Sequence, residues 1–290
     1  MKYPFVNLVL EGGGVWGIAY VSVLEELETR EILPRIKRVS GTSAGSIIAL
    51  LLALGNSAAE IRSKMENLDF TGFQDDGGVL QLASRYGYYR GDFAHDFLRD
   101  AVEERLDDGD ATFADLNNKG GLDLHVHATN LSTQRVKEFS FAKTPDISLA
   151  LAVRASMSIP LLFDAVNIDG QILVDGGVVL NYPIFGLGRL EETLGLAFGG
   201  VDAGGANDDS AEFGYNTPLE FVQRLFGALI SGQSAKWLLN ETVQRHTILI
   251  NTGAVSLTNF NLTQDDKHFL LEQGRLAAQR FFERYDKTDN

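Results

Sequence analysis

The sequence predicts an α/β fold of three layers, α/β/α, in which helices flank a central, mainly parallel sheet. Two stretches support this prediction. Residues 5–10 form an apolar run with the length of a buried strand, which ends at a glycine cluster followed by apolar residues at helical spacing over 18–30. A second strand ends near Ser40 at another glycine turn, and residues 46–54 follow as a helix that is apolar almost all round. Two such units in succession indicate parallel strands joined by helices.

The length and composition of the chain are those of one α/β unit with a large core. Its 290 residues are 44% hydrophobic, and no change of composition marks a linker. We therefore expect a single domain over 1–290, with a motif-bearing part at about 5–185 and a completing part at about 186–290. The chain has no cysteine, which excludes disulfides and thiolate metal sites.

The charge of the chain restricts its partners. Its net charge is −14, with acidic clusters at 107–110 and 208–209 that we interpret as solvated surface. This charge argues against nucleic acid and against electrostatic binding to anionic lipid. No apolar run has the length of a membrane span, and the chain enters a strand without a basic leader region, so a cytoplasmic location is expected. Signal-independent secretion and transient contact with a membrane surface stay open.

The first glycine turn is suited to bind negative charge. It contains Gly12, Gly13 and Gly14 between a strand and a helix, where backbone N–H groups point outward and no Cβ blocks a ligand. Gly12, Gly14 and Gly17 also match a dinucleotide pattern, which would require an acidic residue at the end of the second strand to hold a ribose. That strand ends instead in the sequence GTSAG, which disfavours a nicotinamide or flavin cofactor.

The second glycine turn, Gly41-Thr42-Ser43-Ala44-Gly45, has the pattern G-x-S-x-G of a nucleophile elbow. Its strand before and buried helix after are the context in which such a serine is exposed above a sheet. Ser40 and Ser46 are off the elbow position and are interpreted as turn and helix-cap residues. The two glycine turns should lie side by side at the carboxyl edge of the sheet, where open α/β sheets bind ligands.

A third candidate site residue is Asp175, which ends an apolar strand and precedes two glycines. Asp169-Gly170 shortly before it is predicted to form a hairpin turn. Asp175 could be a second turn residue, or a carboxylate at a strand end with room for another backbone or a ligand. Local sequence leaves both open.

Other segments have more than one interpretation. His125 and His127 lie on one face of a predicted strand over 122–130, but no third metal ligand is evident. Phe70, Phe73 and nearby tyrosines would line a lipid groove or pack in the core, with the core favoured.

Further predicted elements are a strand at 135–140, a loop at 199–209, a strand at 246–251 and helices at 58–68, 91–106, 147–156, 186–194, 218–244 and 268–285. In the long helical region the apolar side chains are expected to pack on the core rather than to contact lipid; they are Phe221, Leu225, Phe226, Leu229, Trp237 and Leu238.

With these motifs in order, the chain resembles the bacterial branch of the patatin-like phospholipase family. The resemblance covers about residues 5–185 through EGGGVWG at 11–17, GTSAG at 41–45, ASMSIPLLF at 155–163 and DGG at 175–177, and the C-terminal stretch from Asn259 is also similar. It implies a lipid acyl hydrolase with a catalytic dyad of Ser43 and Asp175, an oxyanion hole of Gly12, Gly13 and Gly14, a lipid or other acyl ester as substrate, and neither cofactor nor metal.

Two features stay open beside this resemblance. A Ser-His-Asp triad would need His246 or His268, neither of which lies in a loop suited to catalysis. The family's glycine loop commonly has Arg or Lys where this chain has Trp16, which weakens the expectation of a charged head group and suggests that the indole packs on an acyl chain. A non-catalytic lipid- or protein-binding module on the same fold is the alternative function.

Overall fold

A computed structural model describes residues 2–199 and 217–288 of the chain. The loop predicted at 199–209 lies outside these residues, apart from Gly199.

The described residues form ten strands and ten α-helices that alternate along much of the chain. The strands are β1 Asn7–Leu10, β2 Arg38–Thr42, β3 Gly87–Tyr89, β4 Asp123–Asn130, β5 Arg135–Phe139, β6 Leu161–Phe163, β7 Val166–Ile168, β8 Gln171–Asp175, β9 Thr193–Phe198 and β10 Thr247–Ile250. The helices are α1 Tyr20–Thr29, α2 Ala44–Ala53, α3 Ala58–Asn67, α4 Val79–Arg85, α5 Asp92–Leu106, α6 Phe113–Asn118, α7 Leu149–Ser156, α8 Pro218–Leu238, α9 Glu241–Arg245 and α10 Gln264–Thr288.

The main sheet has the strand order β10-β9-β1-β2-β4-β8-β7, and β5 also pairs with β4. All neighbours from β10 to β4 are parallel, whereas β5, β8 and β7 join in antiparallel pairs. The short strands β3 and β6 form a separate parallel pair. The prediction of a central, mainly parallel sheet flanked by helices is confirmed.

Alternate residues of β1 face different layers of the core. Leu8 and Leu10 belong to the larger cluster, which includes the buried side chains of α1, α2, α7 and α10. Val9 points to the other face and packs in a smaller cluster with residues of the 182–187 segment and Val243 of α9. Every residue of α2 is buried, which agrees with its all-round apolar sequence.

The prediction of a helix over 186–194 is wrong. This segment is irregular apart from a single 3₁₀ turn at Leu190–Glu192, and it leads directly into β9. The strand lies between β1 and β10, and all six of its residues are buried. Its sequence TLGLAF is a short apolar run, for which periodicity does not separate strand from helix.

Candidate active site

Ser43 occupies the tight turn between β2 and α2. Its φ of 51° lies in the left-handed region, which a residue with a Cβ adopts only at a cost in energy. The flanking glycines make the turn fit: a Cβ on Gly41 would lie 2.3 Å from the Gly45 oxygen, and one on Gly45 would lie 2.5 Å from the Leu10 oxygen. The two glycine turns therefore lie side by side, as predicted.

A serine that the sequence did not single out holds the backbone of the turn. The Ser43 N–H donates to Oγ of Ser156 at 2.9 Å, and the Ser156 hydroxyl donates to the His127 oxygen at 2.6 Å. Ser156 is the last residue of α7 and lies inside the ASMSIPLLF motif. This contact ties the backbone of the elbow to β4.

The strand β4 brings Ser43 and Asp175 together. On one flank its residues 123–127 pair with the parallel strand β2, and its residues 128–130 pair with the antiparallel strand β8. Thr42 is opposite His127 and Asp175 is opposite Ala128, so β2 and β8 end head to head at consecutive positions of β4. Two predicted site residues that are far apart in sequence thereby become neighbours.

Asp175 is fully buried beside the serine. Its Oδ1 accepts the Gly177 N–H at 2.7 Å. Its Oδ2 is buried and has no hydrogen-bond partner among the described residues. Burial raises the pKa of Asp175 to about 7, while the Ser43 hydroxyl and the Gly177 N–H lower it in part. A carboxylate with this pKa and a free oxygen is suited to accept a proton near neutral pH.

The following glycines let other groups approach this carboxylate. A Cβ on Gly176 would lie 2.3 Å from the His127 oxygen, and one on Gly177 would lie 2.6 Å from the Ile230 side chain. Asp175 ends β8 and also caps the 3₁₀ turn Gly176–Val178, so each of the two interpretations describes part of the structure. Asp169 and Gly170, both at positive φ, form the predicted hairpin turn.

The first glycine loop packs directly on the elbow. A Cβ on Gly12 would lie 3.1 Å from the Ser43 Cβ, and one on Gly14, whose φ is 54°, would lie 2.1 Å from the Leu257 oxygen. The Gly12 N–H already donates to the Asn181 oxygen at 3.1 Å. Within residues 2–199 and 217–288, the Gly13 and Gly14 N–H groups have no acceptor, so these two remain available to a ligand.

Glu11, immediately before the glycines, is a buried carboxylate that sequence reasoning missed. Its Oε1 accepts from Asn181 Nδ2 at 3.1 Å and from the Ser234 hydroxyl at 2.6 Å, and its Oε2 accepts the Phe198 N–H at 2.8 Å. Burial raises the pKa of Glu11 to about 7, although these three donors lower it. We call this group the Glu11 cluster: Glu11, Asn181, Phe198 and Ser234. The cluster joins the glycine loop to the segment after Asp175 through Asn181, to β9 through Phe198 and to α8 through Ser234.

Replacing Glu11 by alanine should lower the free energy of unfolding by about 1–3 kcal/mol, because the buried Phe198 N–H loses its acceptor. Glu11→Gln keeps one carbonyl oxygen for this N–H and should cost less. Urea denaturation measures both changes, with Glu28→Ala on the exposed side of α1 as the matched control. An unchanged midpoint for Glu11→Ala would show that the cluster does not stabilise the fold.

A buried arginine supports the other side of the site. Arg154 of α7 donates through Nε to the Gly91 oxygen at 3.0 Å and also donates to the Ser158 hydroxyl. The backbone carbonyl oxygen of Ser158 accepts the Asp175 N–H at 2.8 Å, so the guanidinium indirectly holds the end of β8. The sequence offered no signal for this role, since Arg154 has an ordinary position in a helix.

An apolar pocket opens beside Ser43. Its lining includes Phe70 and Phe73, so the aromatic residues that were expected in the core both pack there and line a groove. The remaining lining residues are Gly14, Val15, Gly17, Ala44, Ile47, Met65, Leu68, Met157, Ile159, Phe163 and Phe260. Trp16 does not line this pocket: its indole N–H donates to the Val255 oxygen at 2.7 Å and its ring packs on Phe198. The expectation that Trp16 packs on an acyl chain thus has no support in this pocket.

The structure places the candidate triad histidines away from Ser43. His246 precedes β10 and so lies at the amino edge of the parallel strands, whereas Ser43 follows the carboxyl end of β2. His268 is exposed on α10.

His125 contacts Asp123 and Glu138, which raise its pKa to about 9 against the effect of burial. Burial lowers the pKa of His127 to about 4. Among the described residues no cluster of three or more His, Asp or Glu side chains could hold a metal ion.

Comparison with known proteins agrees with this arrangement. Residues 8–187 match the family model described as patatin-like phospholipase. The chain is 30% identical over 275 residues to Uncharacterized protein R571 of Acanthamoeba polyphaga mimivirus, covering 92% of this chain and 90% of that protein. It is 31% identical to a cGAMP-activated phospholipase of Pseudomonas aeruginosa, over 64% of this chain and 57% of that protein.

A solved structure shares the fold. VipD from Legionella pneumophila superposes with a TM-score of 0.68 at 19% identity, covering 97% of this chain and 67% of that chain. The family model spans both glycine turns and the DGG motif, which are the segments that surround Ser43 and Asp175. The chain belongs to the patatin-like phospholipase family.

Proposed function

We propose that this chain is a serine hydrolase that cleaves carboxylic ester bonds of lipids, of the phospholipase A, lysophospholipase or esterase type, through an acyl-enzyme on Ser43. The observation that carries the proposal is the head-to-head meeting of β2 and β8, which places the Ser43 elbow beside a buried carboxylate. Membership of the family supports lipid esters as the substrate class.

In this reaction Asp175 is the general base. Its Oδ2 accepts the proton of the Ser43 hydroxyl as Oγ forms a bond to the ester carbonyl carbon. When the tetrahedral intermediate collapses, the bond to the leaving alcohol breaks and Asp175 returns the proton to that oxygen. A water molecule then gives a proton to Asp175 and attacks the acyl carbon. As the bond between that carbon and Ser43 Oγ breaks, Asp175 returns the proton to Oγ, which releases the fatty acid and restores both residues.

The oxyanion of the intermediate needs hydrogen-bond donors already in place. Gly12, Gly13 and Gly14 were expected to supply them, and we assign the role to Gly13 and Gly14, since the Gly12 N–H donates to Asn181. Gly12 contributes instead by its lack of a side chain, which lets the loop approach Ser43. Losing one oxyanion donor typically raises the barrier by about 3–4 kcal/mol.

We assign the apolar pocket beside Ser43 to the acyl chain of the substrate, because the chemistry of its lining matches that chain. Its lining is aliphatic and aromatic around the Ser43 backbone, and no ionisable side chain is part of it. Burial of methylene groups there would stabilise the complex by about 0.8 kcal/mol for each CH₂. The pocket therefore favours a fatty acyl ester over a small polar one.

Labelling by a fluorophosphonate should test this function against a non-catalytic binding module. We expect one covalent adduct per chain, located on Ser43 by peptide mass spectrometry, and competition by phospholipid, lysophospholipid or p-nitrophenyl ester should rank the substrate classes. The exposed Ser63 on α3 supplies the control: Ser63→Ala should label fully and Ser43→Ala not at all. Absence of an adduct in the wild type would favour the binding module.

A further inference from the structure

The outward face of α8 is apolar. Phe226 and Ile230 point into the core, whereas Phe221, Leu225 and Leu229 are 49%, 51% and 44% exposed. These three residues are spaced four apart and so lie on one side of the helix. We call them the α8 stripe. A surface helix usually presents polar residues to solvent, and a contiguous exposed apolar patch marks an interaction site. The expectation that Phe221, Leu225 and Leu229 pack on the core is therefore wrong.

The charge of this helix differs from that of the rest of the chain. Its one acidic residue is Glu220 in the first turn. Residues 221–240 contain no Asp or Glu, although the chain has 39 of them, and the only charged residues in this run are Arg224 and Lys236. An acidic side chain would be costly on a face that enters an apolar medium. Phe and Leu flanked by Lys or Arg is the composition of helices that lie in a lipid interface.

The same helix contacts the catalytic loops through its other face. Gln233 Nε2 donates to the Gly177 oxygen at 2.6 Å, two residues after Asp175, and Ser234 donates to Glu11 at 2.6 Å. The Asn181 N–H donates to Gln233 Oε1 at 3.0 Å. One helix thus connects an outward apolar stripe to the two loops that surround Ser43.

We propose that the α8 stripe docks on the surface of a lipid aggregate with zwitterionic or neutral head groups, and that it holds the Ser43 site at that surface. The benefit of docking rests on the lipid hydrolase function proposed above. A second copy of this chain fits the stripe less well, because two chains of net charge −14 repel each other. No helix within the described part of the chain is long and apolar enough to span a membrane.

Binding is best measured in a Ser43→Ala background, where it does not depend on catalysis. Flotation with phosphatidylcholine vesicles compares the parent with a triple variant of the α8 stripe, Phe221→Ser, Leu225→Ser and Leu229→Ser. The matched control changes three exposed apolar residues of other elements, Leu131→Ser, Phe141→Ser and Phe269→Ser. We expect the stripe variant to lower the partition constant at least tenfold, about 1.4 kcal/mol, and the control to leave it within about twofold.

A second variant tests for stronger binding rather than for loss. Leu225→Trp should increase vesicle binding, because an indole favours the boundary between water and lipid. With Ser43 intact, the stripe variant should hydrolyse a soluble p-nitrophenyl ester as the wild type does, but hydrolyse vesicle phospholipid at least tenfold more slowly. If both activities fell together, the variant would have lost its fold, and Leu225→Trp would decide instead: no gain in vesicle binding by Leu225→Trp overturns the proposal.

Other outcomes overturn the proposal. They are failure of the parent to bind vesicles, equal binding by the stripe and control variants, and a dimer in sedimentation that the stripe variant abolishes, which would assign the stripe to a second copy. Stripe-dependent binding by a chain that hydrolyses no ester would support docking and reject only the proposed function.

Discussion

Ser43→Ala is expected to lower kcat/KM for ester hydrolysis by about 10⁴- to 10⁶-fold, since no acyl-enzyme can form without the hydroxyl. The nearest other hydroxyls do not replace it. The Ser46 hydroxyl donates to the backbone carbonyl oxygen of Ser43 at 2.6 Å. The Ser156 hydroxyl accepts the Ser43 N–H and donates to the His127 carbonyl oxygen. Steady-state hydrolysis of a soluble ester measures the loss, and activity close to that of the wild type would exclude Ser43 as the nucleophile.

Ser43→Gly separates the loss of the hydroxyl from a loss of folding. Glycine adopts a φ of 51° without the steric cost that serine bears, so this variant should be inactive and at least as stable as the wild type in thermal unfolding. Ser63→Ala, on an exposed helical surface, should change neither activity nor stability. An unstable Ser43→Gly would mean that the side chain, rather than the strained backbone, determines the stability of the turn.

Asp175→Asn is expected to reduce kcat/KM by about 10³- to 10⁴-fold, because an amide cannot accept the serine proton. The amide oxygen can still accept the Gly177 N–H, so the loop should keep its shape. In the wild type, kcat/KM should rise with pH through about 7 and then level off, as the carboxyl loses its proton and becomes a base. A rate that is independent of pH between about 5 and 9 would argue against Asp175 as the base.

The same substitution should stabilise the protein at alkaline pH. Burial raises the pKa of Asp175 from 3.8 to about 7 in the folded chain, so the fold favours the protonated form. The contribution of Asp175 to the free energy of unfolding of the wild type is complete below about pH 4 and is lost as pH rises to about 7. It amounts to about 1.4 kcal/mol for each unit by which the pKa is raised. The amide introduced by Asp175→Asn does not titrate, so the variant should unfold at a higher temperature than the wild type at about pH 8 and at a similar one at about pH 4. Equal unfolding temperatures at the higher pH would contradict a raised pKa of Asp175.

Much of the fold and part of the site follow from local sequence. Both strand–turn–helix units are predictable, because each apolar strand ends at glycines that permit a tight turn and is followed by apolar residues at helical spacing. Asp175 is different: its meeting with Ser43 depends on both β2 and β8 pairing with the same flank of β4, and pairing between distant strands leaves no local pattern. Only the resemblance to the family indicated its role.

The remaining errors also have physical reasons. The strand β9 was not predicted, and the helix expected at 186–194 overlapped its first two residues, because a buried strand of six residues has no alternation to reveal it. The exposure of Phe221 and Leu225 could not be predicted, since α8 is apolar on both faces and only the packed structure decides which one meets the core. The burial of Glu11 could not be predicted from local sequence, because its partners Asn181, Phe198 and Ser234 are 170 to 223 positions away.

The Glu11 cluster also affects the order in which the chain can fold during translation. The amino-terminal strand β1 pairs with β9, and Glu11 requires the hydroxyl of Ser234 in addition. A chain emerging from the ribosome carries its glycine loop early, but Glu11 lacks the Ser234 hydroxyl until 223 further residues have been made. In the hydrolase proposed above, the glycine loop would therefore gain its full set of contacts only after both Ser43 and Asp175 have been made.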